Sequence, residues 1–364
     1  MKNTFGNNLT FTVFGESHGG AIGVVIDGIA PGIEVDKEYI GKLLTLRRPA
    51  GAISTARQEA DKFVIHSGVF EGKTTGTPIC IMIPNADTRS KDYSETRWLA
   101  RPSHADYTAN CKYHGYEDYR GGGHFSGRIT AGLVAAGAIV MSALKKKGIM
   151  IGTHIKKCAG ISDVDFSADP AEEIDGLYEK QFAVLDDGIG EKMTEAITSA
   201  KSEGNSVGGV LETAIIGLDA GVGEPMFDTL EGMIAHAMFA VPGIKGVEFG
   251  AGFAISDMKG SEANDAFYSE NEKIKTRTNN AGGINGGISN GMPIIFRCAV
   301  RPTPTLGREQ NTVDMQLKED AVLLSKGRHD PCIVHRARIV VDCLTALTVA
   351  DMCVTRYGTD WLAK

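Results

Sequence analysis

Much that would classify this chain quickly is missing from it. The seven cysteines are odd in number and scattered, and no two form a Cys-x-x-Cys pair. That sets aside a disulfide framework and a thiolate zinc site, and leaves reduced thiols in a cytoplasmic protein as the expectation. No His-Glu-x-x-His occurs, and the histidine spacing suggests no metal centre. Positive charge is in deficit. With a net charge of −7, general affinity for nucleic acid is not expected. The N-terminus has no apolar signal core. The apolar stretch from Ile129 to Leu144 falls short of the roughly 20 residues of a spanning helix and is rich in Ala and Gly. It predicts a buried helix with close-packed neighbours, and no membrane partner. There is no repeat of fixed period and nothing that reads as a linker.

The familiar phosphate motifs are also incomplete. Gly72-Lys73-Thr74 lacks the glycine five residues earlier that a P-loop requires. The glycine runs do not form a Gly-x-Gly-x-x-Gly turn after a strand. Gly15-Glu16-Ser17-His18-Gly19 matches Gly-x-Ser-x-Gly by spacing but is not read as a nucleophile elbow.

What is present is glycine and clustered arginine. The 45 glycines among 364 residues exceed the usual ~7%. They sit in short segments of mixed composition, which points to tight turns and close approach of backbone to ligand. Strands are predicted over 9–13, 22–29, 63–70, 77–83, 207–216, 246–255 and 292–300. Helices are predicted over 36–46, 127–147, 190–202, 228–239, 313–325 and 339–354. Asp36 is the predicted N-cap of the first helix. Ile40, Leu43 and Leu44 form its apolar face, which also turns Arg47 and Arg48 inward. Strands and helices mix without a strict βαβ rhythm, so one large α+β domain over 1–364 fits better than two units.

Six segments carry chemistry. Gly15 to Gly20 leaves two readings open, a strand-end turn or a turn presenting His18 to a cleft. Arg47-Arg48-Pro49 offers guanidinium forks that match phosphate and carboxylate. The richest segment holds Arg101, His104, Asp106 and Tyr107, then Tyr119-Arg120-Gly121-Gly122-Gly123, then His124, Phe125, Ser126 and Arg128. Three glycines ahead of a helix read as an anion cradle. Asn279 to Gly291 reads by itself as a turn-rich surface loop. Arg301-Pro302-Thr303-Pro304-Thr305 is a rigid strip bearing hydroxyls. In Lys326-Gly327-Arg328-His329-Asp330-Pro331, Asp330 precedes proline and is excluded from a helix. Its basic neighbours favour a charged carboxylate.

Taken in order, these segments resemble the chorismate synthase family along nearly the whole chain. The resemblance implies a layer of helices between two antiparallel sheets, assembled as a homotetramer. It implies reduced FMN as cofactor, supplied by an external reductant. The reaction implied is an anti 1,4-elimination of phosphate and the C6 hydrogen from 5-enolpyruvylshikimate 3-phosphate, giving chorismate. By position, His18 matches the general acid near the phosphate and His104 the histidine that protonates reduced flavin. Asp330 matches a base near flavin N5. Arg47, Arg48, Arg101, Arg128 and Arg328 match substrate-binding arginines. His124, Phe125, Ser126, Gly286, Arg301, Pro302, Thr303, Pro304, Thr305 and Arg328 fall where the family contacts FMN.

Three positions depart from the family's common pattern. His124 and Ile129 stand where many members have arginine and glutamate, and the arginine often found near Ile53, associated with nicotinamide nucleotide, is absent. Two rival classes remain. One is a transferase acting on a similar shikimate ester, and the other is a non-catalytic flavin- or phosphate-binding protein. FMN titration separates the first, and turnover separates the second.

Overall fold

The structure is a computed structural model that describes residues 2–49, 51, 53–54, 60–86, 96–324 and 330–364. Arg328 therefore lies outside the described residues. Three helices form the middle layer: α1 (Lys37–Arg47), α2 (Thr130–Lys146) and α3 (Val334–Tyr357). Asp36 caps α1 as its sequence predicts, accepting from the amides of Glu38 and Tyr39. In α2 every residue from Thr130 to Leu144 except Ser142 is buried. In α3 the buried positions run almost unbroken from Val334 to Val354. A helix buried on all sides belongs in the interior, and these two lie side by side between the sheets.

The first sheet is antiparallel and holds β1 (Thr4–Phe5), β2 (Thr10–Gly15), β3 (Ala21–Asp27), β4 (Val64–Ile65) and β5 (Ile79–Pro84), in the order β1-β2-β3-β5-β4. The second holds β6 (Met150–Cys158), β7 (Ile161–Ser162), β8 (Gly209–Ile216), β9 (Ile244–Phe249) and β10 (Ile294–Val300), in the order β9-β10-β8-β6-β7. α2 packs on β3 and β5, and α3 packs on β6 and β8. The expected helical layer between two antiparallel sheets is thus the observed architecture.

Glycine makes the close packing possible. A methyl group added at Gly137 in α2 would come within 2.6 Å of the Cα of Cys343 in α3 and 2.7 Å of its carbonyl oxygen. At Gly132 it would meet the Gly23 carbonyl of β3 at 3.0 Å. The helix length and composition that could pass for a membrane span are therefore those of a core helix, with 89% of its most apolar window inside the protein.

Three predicted elements differ. Residues 313–325 were expected to be helical. The described part instead forms a hairpin, Gln310–Asp314 paired with Glu319–Leu323. The Asp314 carboxylate accepts from the amides of Gln316 and Leu317 and fixes the turn. Alternation across a hairpin and a helical stripe look alike over so short a run. The strand expected over 246–255 stops at Phe249, because Gly250 and Gly252 take positive φ and start a 3-10 turn over Gly252–Asp257. The strand expected over 63–70 breaks before Gly68, at φ +78°, into pieces that join different sheets.

Two long-range ties close the fold. The Asp351 carboxylate, buried on α3, accepts from the amides of Asn7, Asn8 and Leu9, each at 2.8 Å. On the second sheet's outer face, Glu248, Arg297, Glu212 and His154 are cross-strand neighbours. Arg297 donates to both glutamates, and His154 lies 3.1 Å from Glu212 and 3.1 Å from Asp163. Burial opposes a charge on His154, but the two carboxylates outweigh it and raise the imidazole above its ordinary value of 6.5.

Two outcomes are expected. Gly137→Ala should cost about 1–3 kcal/mol by overpacking. Gly41→Ala, where nothing lies within 4 Å, should stabilise helix α1 by roughly 0.5–1 kcal/mol. Chemical denaturation measures both, and equal effects would discount the close α2–α3 approach. For His154, folding raises the pKa, so its stabilisation is complete below pH 6.5 and is lost as pH rises through the native value. The thermal midpoint should fall as pH rises above 6.5, and His154→Gln should flatten the fall. A pH-independent midpoint in the unaltered protein would indicate a neutral imidazole.

Candidate active site

At one end of the helical layer lies a cavity of about 1250 Å³. Single-ligand pockets usually occupy roughly 300–1,000 Å³, so two small molecules can fit side by side. Its walls come from the C-terminus of α1, the start of α2, the first turn of α3 and the segments 97–128 and 301–305.

The arginines converge as their segments suggested, but they arrive with carboxylates. Arg47 and Arg128 are both buried, and each binds a different oxygen of Asp61. Arg47 Nη2 is 3.0 Å from Oδ2, and Arg128 Nη1 sits on Oδ1. Arg128 also donates to Asn85 Oδ1 at 3.0 Å and to the Pro84 carbonyl at 3.3 Å. Arg48 is half-exposed, with Nε 3.9 Å from Asp61. Arg101 forks onto Asp106 at 2.8 and 2.7 Å. Burial pushes the Arg47 guanidinium down to about 10, with Arg336 and Arg128 adding repulsion and Asp61 opposing it.

The titratable residues line the same cavity. His18 is buried against Gly121, whose φ of +60° and missing side chain leave room for the ring. The three glycines Gly121 to Gly123 all take positive φ. Their observed work is to pack beneath His18 and to accept, through the Gly123 carbonyl, from the Ser17 amide. His104 Nε2 is 2.7 Å from Thr305 Oγ1. Asp330 accepts from Arg336 Nη1 at 2.6 Å, and Arg336 Nε donates to the Arg47 carbonyl at 3.1 Å.

Most of the expected cofactor strip is also here. His124 Nδ1 bonds the Gly15 carbonyl at 2.8 Å, and Ser126 Oγ accepts from the Arg128 amide. Phe125 is exposed at the rim. Arg301 donates to the Ser103 carbonyl at 2.6 Å, and Thr303, Pro304 and Thr305 form a wall. Thr303 Oγ1 is buried with no hydrogen-bond partner among the described residues. Pro302 and Gly286 do not line the cavity. Gly286 sits at the tip of a small hairpin, Ile284–Asn285 with Ile288–Ser289.

The family model for chorismate synthase matches residues 9–354. The chain belongs to the chorismate synthase family. It is 42% identical over 359 residues to the chorismate synthase of Thermococcus kodakarensis, covering 99% of each chain. It is 46% identical to that of Synechocystis sp., covering 96% of this chain and 97% of that one. A crystal structure of a chorismate synthase superposes with a TM-score of 0.78 at 28% identity, over 99% of this chain and 95% of the other. The family is enzymatic and its members are lyases. Neither the transferase nor the non-catalytic reading gains support.

Two residues of the cavity escaped the sequence reading. Asp61 lies in no motif, and its partners are contributed from 14 and 67 residues away. Arg336 sits three residues before Ile339, where the apolar helical pattern first becomes legible. The signal was Asp330-Pro331 itself, since a proline there announces a helix start close behind. Arg336→Gln should lower turnover at least about tenfold, the scale of one charge-assisted hydrogen bond of roughly 1.5–3 kcal/mol, with circular dichroism unchanged. Undiminished turnover would show that Asp330 is oriented without Arg336.

Proposed function

We propose that the protein converts 5-enolpyruvylshikimate 3-phosphate to chorismate, and that it does so with reduced FMN in this cavity. The observation that carries the reading is the convergence of His18, His104, Asp330 and four arginines on one cavity of about 1250 Å³ in a member of this family. A substrate with one phosphate and two carboxylates requires concentrated positive charge, and a dry site makes fixed donors effective.

The residues present fit the cofactor. The buried, unpartnered Thr303 Oγ1 is a polar atom awaiting a ligand, and the cavity exceeds the size one small substrate needs. His124, Phe125, Ser126, Arg301, Thr303, Pro304 and Thr305 would hold it, with Pro302 shaping the strip; Gly286 and Arg328 remain proposals from the resemblance. Reduced FMN, when bound, supplies transient electron donation and takes up the C6 hydrogen, leaving no net redox change. The chain's own groups do the rest. Arg47, Arg48, Arg101 and Arg128 provide the positive field that draws in the anions. His18 is placed to hold a proton for the departing phosphate, because an imidazole exchanges protons near neutral pH. His104, oriented by Thr305, serves as the second proton donor. Asp330, oriented by Arg336, acts as the base.

The assembly is read as a homotetramer in the cytoplasm, fed by an external reductant. Phe253, Phe227 and Phe267, 84%, 86% and 65% exposed, are apolar side chains that such an assembly would cover.

An anaerobic assay for chorismate with reduced FMN tests the reading directly, and absence of product would end it. His18→Ala, His104→Ala and Asp330→Asn should each cut turnover by roughly 10²–10⁴-fold, the range for a positioned acid or base, while flavin binding survives. Near-full turnover in Asp330→Asn would remove the base assignment.

A further inference from the structure

Asp61 has no part in the chemistry described so far, yet it is held tightly in the cavity wall. Its side chain is wholly buried. Each carboxylate oxygen takes a different guanidinium, Arg47 on Oδ2 and Arg128 on Oδ1, with Arg48 at 3.9 Å as a third cation. All four residues line the cavity. The backbone of Asp61 sits at φ +47°, a left-handed conformation that Asp and Asn tolerate better than other side chains. Burial would raise its carboxyl, but Arg47 and Arg128 hold it below the ordinary range, so it is charged.

A carboxylate bridging two buried arginines has the arrangement that a bound phosphate or carboxylate would have. Two guanidiniums this close would repel and separate if nothing lay between them, and an arginine left buried without a counter-ion is costly. We propose that Asp61 is the resident anion of the arginine cluster, a positioning residue that neutralises and aligns Arg47 and Arg128 before an external anion joins them. This rests on the reading that the cavity takes a phosphate ester. Asp61 thereby sets both the geometry of the forks and the net charge the substrate meets: three arginines and one carboxylate instead of three bare cations.

The test is Asp61→Asn, which keeps a side chain suited to the left-handed backbone and removes only the charge. The probe is inorganic phosphate, titrated into the full-length variant and the unaltered protein. Thermal unfolding is the readout, with potassium chloride at matched ionic strength as the control. A ligand that binds only the folded state raises the midpoint in proportion to its affinity. Without phosphate, Asp61→Asn should melt lower than the unaltered protein. With phosphate it should regain that loss, with an apparent dissociation constant at least about tenfold tighter, a difference of about 1.4 kcal/mol. Chloride should not restore it.

An equal phosphate response in the two proteins would overturn the proposal and make Asp61 an ordinary structural ion pair. So would a variant that stays unfolded at every phosphate concentration, because a resident anion must be replaceable by another. If the unaltered protein responds and the variant responds no more strongly, only the role of Asp61 falls. If neither responds, the anion site itself falls and the proposal with it.

Discussion

Positive charge cannot be gathered inside a protein without compensation, and this fold is organised around that compensation. Arg47 ends α1, Arg128 precedes α2, and Arg336 lies in the first turn of α3. Each helix of the middle layer therefore delivers one guanidinium to the same end of the molecule. Arg47 and Arg128 meet on Asp61, and Arg336 ties Asp330 to the Arg47 carbonyl. The ion pairs are contacts between helices as much as parts of a binding site. Moving one helix would separate a cation from its carboxylate inside a low-dielectric wall, which couples site geometry to core packing.

The core in turn is tight enough to transmit that requirement. α2 approaches α3 at Gly137 and β3 at Gly132 with no room for a side chain. Close-packed interiors yield little to small displacements. The placement of Arg128 at the head of α2 is thus fixed by packing along the whole helix, several turns away from the cavity.

How much of this was legible in the sequence depended on range. Features set by neighbours within a few residues could be read. Asp36 caps α1, Arg47 points inward with Ile40, and the apolar run after Arg128 is a core helix. Features set by contacts between distant segments could not. Asp61 carries no local mark, since its meaning comes from partners on other elements. The triple glycine was legible as a special turn, but its packing beneath His18 depended on a residue a hundred positions earlier. The hairpin over Gln310–Leu323 shows the opposite failure. There a local pattern fits both helix and strand, and the pairing between its two arms decides. Family resemblance reached further than local physics because it carries long-range arrangement in the order of its segments.

The Asp351 clasp has a consequence for how the chain is made. Its carboxylate on α3 holds the amides of Asn7, Asn8 and Leu9, joining segments 342 to 344 residues apart. Both sheets, together with α1 and with α2 packed on the first sheet, precede α3 in the chain. Their inner faces are apolar, with Ile22, Val24 and Ile26 on one and Leu211 and Phe296 on the other. Until α3 folds, the inner face of the second sheet and the side of α2 turned toward α3 lack their apolar partner. Contacts of such long sequence separation form slowly, and the exposed interval invites aggregation. The interval before α3 docks is therefore when this chain exposes the most unfinished core.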